Sequence, residues 1–271
     1  MSDPTMPTWI AFDAQHCPPR AWRMAGSTPR GEAIQVDTVE DARTLIPGAD
    51  LVMAGAPDGE AHAVPAKPAT LAVTKDPAAA VWRVASLSQT RPFGRMEGAA
   101  CHIDGFLSLN KDWDGVICLP GFQATHWALI SAEEVVSFAS FATAPMVQAL
   151  CPVPYLDQAP NAEALANAAQ DVLSQPETLA LRLAETRAKW AAGALDAHGA
   201  RSESWGAALG AELAASRAYW LGQNLAVIGP KPLAAPYLAA LRAQYVPVTE
   251  TDETRMLLTG LARAYARRPQ P

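Results

Sequence analysis

The sequence predicts an α/β fold of two lobes. Three observations carry this. Short apolar strands come as hairpins near the start of each half. Helical, alanine-rich patterning fills residues 161–220. Each half opens with an apolar strand, a polar loop and a second strand, closed by an aspartate in one case and by Pro-Gly in the other. The boundary falls near Asp112 to Gly115, giving lobes at 1–112 and 113–271.

In chain order, Trp9 to Phe12 reads as a buried strand ended by Asp13. Pro18 and Pro19 occupy the following loop, and Arg20 to Met24 is the returning strand. Asp50 to Ala54 is a further apolar run closed by Gly55. Pro and Gly crowd Pro57 to Pro77, which predicts little regular structure there. Val81 to Ala85 is a strand. Met96 to Leu109 has helical spacing, with Met96, Ala100, Ile103 and Leu107 on one face. Val116 to Leu119 is a strand stopped by Pro120-Gly121. Trp127 to Ile130 and Val135 to Phe138 form a hairpin around Ser131 to Glu134. Asn161 to Trp220 is helical, Leu225 to Ile228 a strand, and Leu233 to Gln244 a helix. Val246 to Val248 is extended and Glu253 to Arg267 is a final helix.

Composition narrows the function classes. Half of the 271 residues are hydrophobic and 18% are charged, enough apolar material for a real core. The formal charge of −6 opposes a phosphate backbone, so nucleic acid is not an expected partner. Cys17, Cys101, Cys118 and Cys151 are scattered without a C-x-x-C pair, which predicts buried reduced thiols rather than a disulfide framework or a zinc site. Asp3 interrupts any basic-then-apolar leader pattern, and no apolar run approaches the roughly 18 residues of a membrane span. The expected compartment is the cytoplasm, without a membrane partner; homodimer formation stays open.

Several short segments, taken in order, carry a resemblance across most of the chain. They are Ile10-Ala11-Phe12-Asp13 with Arg20-Ala21-Trp22, then Val52-Met53-Ala54-Gly55, then Leu87-Ser88-Gln89 with Met96-Glu97-Gly98. Leu119-Pro120-Gly121 through Trp127, Leu209-Gly210-Ala211-Glu212-Leu213-Ala214, Ile228-Gly229 with Leu233 and Tyr237, and Thr259-Gly260-Leu261 follow. Together they resemble the 2-dehydro-3-deoxygalactonokinase family. The resemblance implies the actin-like, hexokinase-like (ribonuclease H-like) sugar kinase fold of two lobes. In it each lobe offers a hairpin loop whose backbone N–H groups face nucleotide phosphates.

The implied activity is ATP-dependent phosphorylation of the 6-hydroxyl of 2-dehydro-3-deoxy-D-galactonate with magnesium, which needs positioning, charge neutralisation and a base. On that reading Asp13 holds the metal through water. Gln15 and His16 in the first loop, and Gly121, Thr125 and His126 in the second, flank the phosphates. Gly229 and Pro230 lie near the adenosine, and Arg20 and Gly55 border the sugar acid. Blander readings stand beside these: Asp13 as a loop cap, Arg20 as an ion-pair partner, His126 as an ordinary loop residue.

The sequence also departs from the family pattern. Ala14-Gln15-His16-Cys17-Pro18-Pro19 replaces a Gly-Ser/Thr-Ser/Thr loop, and neither proline has an N–H to give a phosphate. The family's paired glutamates fall on Ala99 and Ala100, and its Thr-Gly-Glu segment on Thr143-Ala144-Pro145. The lysine of the Pro-Gly loop is missing, an extra residue enters before Thr125-His126, and the stretch after Gly55 is shortened. Glu97 and Asp104, seven apart on one helical face, read either as a solvated face or as candidates for a substitute base. The expected activity is therefore weak or lost, with ATP and Mg2+ as cofactors only if it survives. The competing class is a non-catalytic protein on a kinase scaffold that binds a sugar acid or a partner. A kinase with relocated catalytic groups and another acceptor is a third.

Overall fold

The computed structural model describes residues 6–55, 59–153 and 160–269. Asp3, and positions 57 and 58 of the Pro- and Gly-rich stretch, lie outside them. The residues group into two compact units. One takes the chain up to Asp114, Ile130–Phe138 and the segment from Asp252 onward; the other takes Gly115–Leu129 and Ala139–Thr251.

The first unit is built on a seven-stranded sheet in the order β3-β2-β1-β5-β8-β7, with β4 also paired to β2. Its strands are β1 (Thr8–Asp13), β2 (Arg20–Ala25), β3 (Thr28–Pro29), β4 (Ile34–Gln35), β5 (Asp50–Ala54), β7 (Val73–Asp76) and β8 (Val81–Val84). Ile10 and Phe12 on β1 and Leu51 and Met53 on β5 point to one face, where they pack with Val36 and Val81. The short helix α1 (Val39–Thr44) covers this face, and Thr38 and Asp41 close its N-terminus as a capping box.

A second, three-stranded sheet runs β10-β9-β6, from β6 (Ala61–Ala63), β9 (Ser86–Thr90) and β10 (Phe93–Met96). Thus β6 and β7 give strand structure to a stretch expected to be irregular, because both find sheet partners despite the prolines around them.

Helix α2 (Ala99–Leu109) packs on α9 (Glu253–Arg267). The approach is so close that a Cβ on Gly105 would lie 1.9 Å from Met256 O, and one on Gly260 2.0 Å from Cys101 O. The division at 112/113 put α9 with the second lobe; its packing partner α2 lies in the first unit. The helix expected from Met96 begins only at Ala99. Met96 is instead the last residue of β10, opposite Leu87.

The second unit carries a five-stranded sheet in the order β13-β12-β11-β14-β15. Its strands are β11 (Gly115–Leu119), β12 (Thr125–Ser131), β13 (Glu134–Phe141), β14 (Leu225–Val227) and β15 (Val248–Glu250). The unit's helices are α3 (Thr143–Leu150), α4 (Ala162–Ser174), α5 (Leu179–Ala191), α6 (Ala197–Ala215), α7 (Arg217–Trp220) and α8 (Lys231–Ala243). Asn161 caps α4 and Asp196 caps α6 through their side-chain oxygens. Trp127, Leu165, Trp205, Leu209, Leu225 and Leu241 form the core between sheet and helices. Among the described residues no helix is long and apolar enough to cross a membrane.

Candidate functional site

Strands β1 and β2 are antiparallel, with Asp13 opposite Arg20, and β5 runs parallel to β1 with Ala54 beside Asp13. The register brings the first aspartate, the arginine and the first signature glycine to one sheet end. Asp13 is buried. Its Oδ1 accepts the Gln15 backbone N–H at 3.1 Å, and its Oδ2 accepts Arg20 Nε at 3.1 Å. Arg20 Nη2 also reaches Asp13 Oδ2, at 3.1 Å, and donates to Glu253 Oε1. Glu253 Oε1 meets His102 Nε2 at 2.8 Å.

A chain Asp13–Arg20–Glu253–His102 therefore joins β1, β2, α9 and α2, and the guanidinium lies 5.0 Å over the Trp22 ring. Burial pushes the Glu253 carboxyl upward, but His102 and Arg20 outweigh it and hold the group at about 2. Its place in the first turn of α9 favours the charged form as well.

The Gln15 side chain lies across two bare stretches of backbone. A Cβ on Gly55 would meet Gln15 Nε2 at 2.9 Å, and one on Gly98 would meet Gln15 Cγ at 2.8 Å. Gly55 also has φ +84°, a conformation that strains residues bearing a Cβ. Gln15 Nε2 donates to Glu97 Oε2 at 3.0 Å, and Arg95 Nε lies 3.8 Å from Glu97 Oε1. Gly55 and Gly98 thus form a cradle, and the Gln15 carboxamide fills it. His16 sits in the same loop with Nδ1 2.8 Å from Pro18 O, and Cys17 beside it is exposed.

Glu97 and Asp104 do not share a helical face. Glu97 precedes Gly98, the N-cap of α2, and turns to Gln15. Asp104 is buried and accepts Arg263 Nε at 2.9 Å and Arg267 Nη1 at 3.0 Å, fastening α2 to α9. The two expected partners fail to meet because the helix starts three residues later than its periodicity suggests. Ala99 and Ala100 stand in its first turn, and Ala100 is buried.

In the second unit, β11 and β14 are parallel, and their ends carry Pro120-Gly121 and Gly229-Pro230. A Cβ on Gly229 would lie 2.6 Å from Pro120 O, and one on Gly121 2.6 Å from Ala124 O, so close packing requires both glycines. Pro230 is the N-cap of α8, and neither it nor Pro232 has an N–H to offer there.

Thr125 is buried and points inward, with Oγ1 2.5 Å from Tyr237 OH. Tyr237 OH donates to Glu212 Oε2 at 2.8 Å, Thr143 Oγ1 donates to the same oxygen, and Trp127 Nε1 donates to Glu212 Oε1 at 2.7 Å. Burial raises the Glu212 carboxyl above its ordinary value, against the pull of these three donors. His126, on the other face of β12, bonds Ser140 Oγ through Nδ1 at 2.8 Å. Burial pushes its imidazole down to about 4, so at neutral pH it brings no positive charge.

The expected site residues thus fall into sets. Asp13, Gln15, Arg20, Gly55 and Glu97 come together in the first unit, with His16 on the loop above them. Gly121, Gly229 and Pro230 come together in the second, where Thr125 belongs to the core. Sequence reasoning missed Glu253 and His102, which no local pattern ties to Arg20. Gln89 was visible only within the Leu87-Ser88-Gln89 segment; its buried carboxamide donates to Phe138 O at 2.8 Å and accepts Phe138 N–H at 2.9 Å. The Glu212 network was visible only as the Leu209-to-Ala214 segment.

As arranged, these residues do not fit a magnesium ion. Both Asp13 oxygens accept N–H groups, and a guanidinium occupies the carboxylate's open side. Among the described residues no group of three His, Cys, Asp or Glu side chains could hold a metal.

The chain is similar to proteins of known structure. A 2-dehydro-3-deoxygalactonokinase assigned in Sinorhizobium meliloti superposes with a TM-score of 0.82 at 20% identity, over 97% of this chain and 98% of that one. The activator of 2-hydroxyisocaproyl-CoA dehydratase from Clostridium difficile, solved with bound ADPNP, gives 0.54 at 9% identity over 96% and 94%. Component A of the Acidaminococcus fermentans (R)-2-hydroxyglutaryl-CoA dehydratase gives 0.53 at 8% over 96% and 98%. These likenesses place the fold in the α/β, actin-like ATPase and hexokinase-like class. No curated protein sequence matches. The model of the 2-keto-3-deoxy-galactonokinase family matches residues 36–264, and the chain belongs to that family.

Proposed function

We propose that this family member recognises a sugar acid and that its ATP-dependent phosphorylation of 2-dehydro-3-deoxy-D-galactonate is weak or lost. The observation that carries this is the Gln15 side chain filling the cradle of Gly55 and Gly98. Gln15 also ties its own backbone N–H to Asp13, and Pro18 and Pro19 have none, so few loop donors are left for a phosphate. Arg20 already neutralises Asp13.

A general base is equally hard to find. The Asp13 and Asp104 carboxylates are held by arginines, Glu97 accepts from Gln15, and alanines replace the family's glutamate pair. Losing one oxyanion donor typically costs about 10²–10³ in rate, and losing a base about 10²–10⁴. ATP and magnesium are the cofactors this reading would require for any residual activity. Isothermal titration with MgATP, alone and with the sugar acid, tests it. A dissociation constant weaker than about 1 mM for MgATP is expected; micromolar binding would restore the active-kinase reading.

A further inference from the structure

The second unit holds a cavity of about 320 Å³ between α4, α5 and α6. Its origin is in the sequence. Gly206 and Gly210 let α6 meet the α4 backbone, where a Cβ on either would lie 2.4 Å from Leu165 O or Ala169 O. Beside this contact the walls are Ala164, Ala168 and Ala207, too short to fill the space toward α5. Helix α5 closes the third side with long polar side chains.

Those side chains leave one nitrogen of Arg182 without an acceptor. Thr186, buried at the cavity wall, donates to Glu203 Oε2 at 2.9 Å, and Lys189 Nζ donates to both Glu203 oxygens at 3.2 and 3.1 Å. Arg182 Nη1 donates to Glu185 at 3.1 Å. Arg182 Nη2 forms an ion pair with Asp171 Oδ2 at 3.6 Å, longer than a hydrogen bond, and Arg182 Nε is buried with no hydrogen-bond acceptor. The Nε and Nη2 edge of a guanidinium is one that a carboxylate grips with two parallel hydrogen bonds.

The lining holds three acids, Asp171, Glu185 and Glu203, against two bases, Arg182 and Lys189. A bare anion would be opposed by that excess, whereas a ligand that also carries a cation is matched. Arg182 Nη2 and Asp171 Oδ2 stand 3.6 Å apart, so a ligand whose two opposite charges are only a few bonds apart can meet both. We propose that this cavity binds a small zwitterion of the α-amino-acid type, its carboxylate side-on to Arg182 and its ammonium on Asp171. The site is independent of any phosphotransfer.

Calorimetric titration of the full chain with each of the twenty amino acids, and with acetate and methylammonium as single-charge controls, decides it. At least one amino acid is expected to bind with a dissociation constant below about 1 mM, and neither control to do so. Arg182→Lys, which keeps the charge and loses the fork, and Asp171→Asn are each expected to weaken that binding tenfold or more. Both residues are substantially exposed, so the unliganded melting temperature should stay unchanged. No binding by any amino acid, equal binding by acetate, or undiminished binding in both variants would overturn the proposal.

Discussion

Asp13 and Arg20 face each other across the β1–β2 ladder, and the guanidinium places both Nε and Nη2 at 3.1 Å from one carboxylate oxygen. The same guanidinium holds Glu253, so one cation neutralises two buried acids from opposite ends of the chain. Removing it leaves Asp13 without a cation and Glu253 with His102 as its remaining ion-pair partner, in a largely dry setting. Arg20→Ala should cost about 3–5 kcal/mol of stability, as breaking buried pairs does. Arg20→Lys, keeping the charge but not the fork, should lose less. Urea unfolding of the three proteins checks this, and a loss below about 1 kcal/mol, the range of a surface pair, would contradict it.

Glu253 makes the same cluster pH-dependent. Its folded value of about 2 lies below the ordinary 4.5. A depressed carboxylate contributes stability that is present above the unfolded value and lost as pH falls through the folded one. The window is thus pH 4.5 down to 2, and the contribution is on the order of 3 kcal/mol. Glu253→Gln should be less stable than wild type at pH 7, and the gap should close toward pH 2. A gap that stays constant over that window would show that His102 and Arg20 do not hold the charge.

Glu212 has the opposite sign. Burial raises its carboxyl, so its favourable contribution is present below the ordinary value and declines as pH rises through the folded one. Glu212→Ala strands two buried donors, Trp127 Nε1 and Thr143 Oγ1, while Tyr237 OH keeps Thr125 Oγ1. With about 1–3 kcal/mol for each unsatisfied group, a loss of about 2–6 kcal/mol is expected. Glu212→Gln, which keeps an acceptor oxygen, should lose less, and its deficit should shrink as pH rises. Thermal unfolding across pH 4 to 9 reads both trends.

Much of the fold was legible where local signals agree. Asp50–Ala54 is an apolar run closed by Gly55, and Glu253–Arg267 is a periodic helix capped by Asp252; both were read with their observed ends. Helix α3 falls in a stretch for which no element was expected; its Pro145 stands in the first turn, where Pro is tolerated. Strands β6 and β7 escaped because neighbours elsewhere in the sheets stabilise them, not their own composition. The site divides the same way. Asp13 and Arg20 could be paired from the hairpin, but Glu253 lies 233 residues from Arg20, and only the packing of α9 on α2 brings it there. The residues Trp127, Glu212 and Tyr237 satisfy one another in a core, a role that does not require catalysis.

The last expectation separates cause from correlation in the weak or lost activity. If the filled cradle alone blocked phosphotransfer, Gln15→Gly would restore it by baring the backbone at Gly55 and Gly98. That variant still leaves Asp13 paired with Arg20 and provides no carboxylate to accept the hydroxyl proton. Ala99→Glu with Ala100→Glu would supply carboxylates beside a cradle still filled by Gln15; since Ala100 is buried, circular dichroism must first show that this variant folds. Groups that act as a unit lose their effect together and regain it together. Turnover of 2-dehydro-3-deoxy-D-galactonate with MgATP should therefore stay at background in the wild type and in each partial variant, measured by a coupled assay at high protein concentration. Turnover by the unmodified chain near the roughly 1–100 per second of working kinases would mean that Glu97 or another group performs the chemistry, and the weak-or-lost reading would fall.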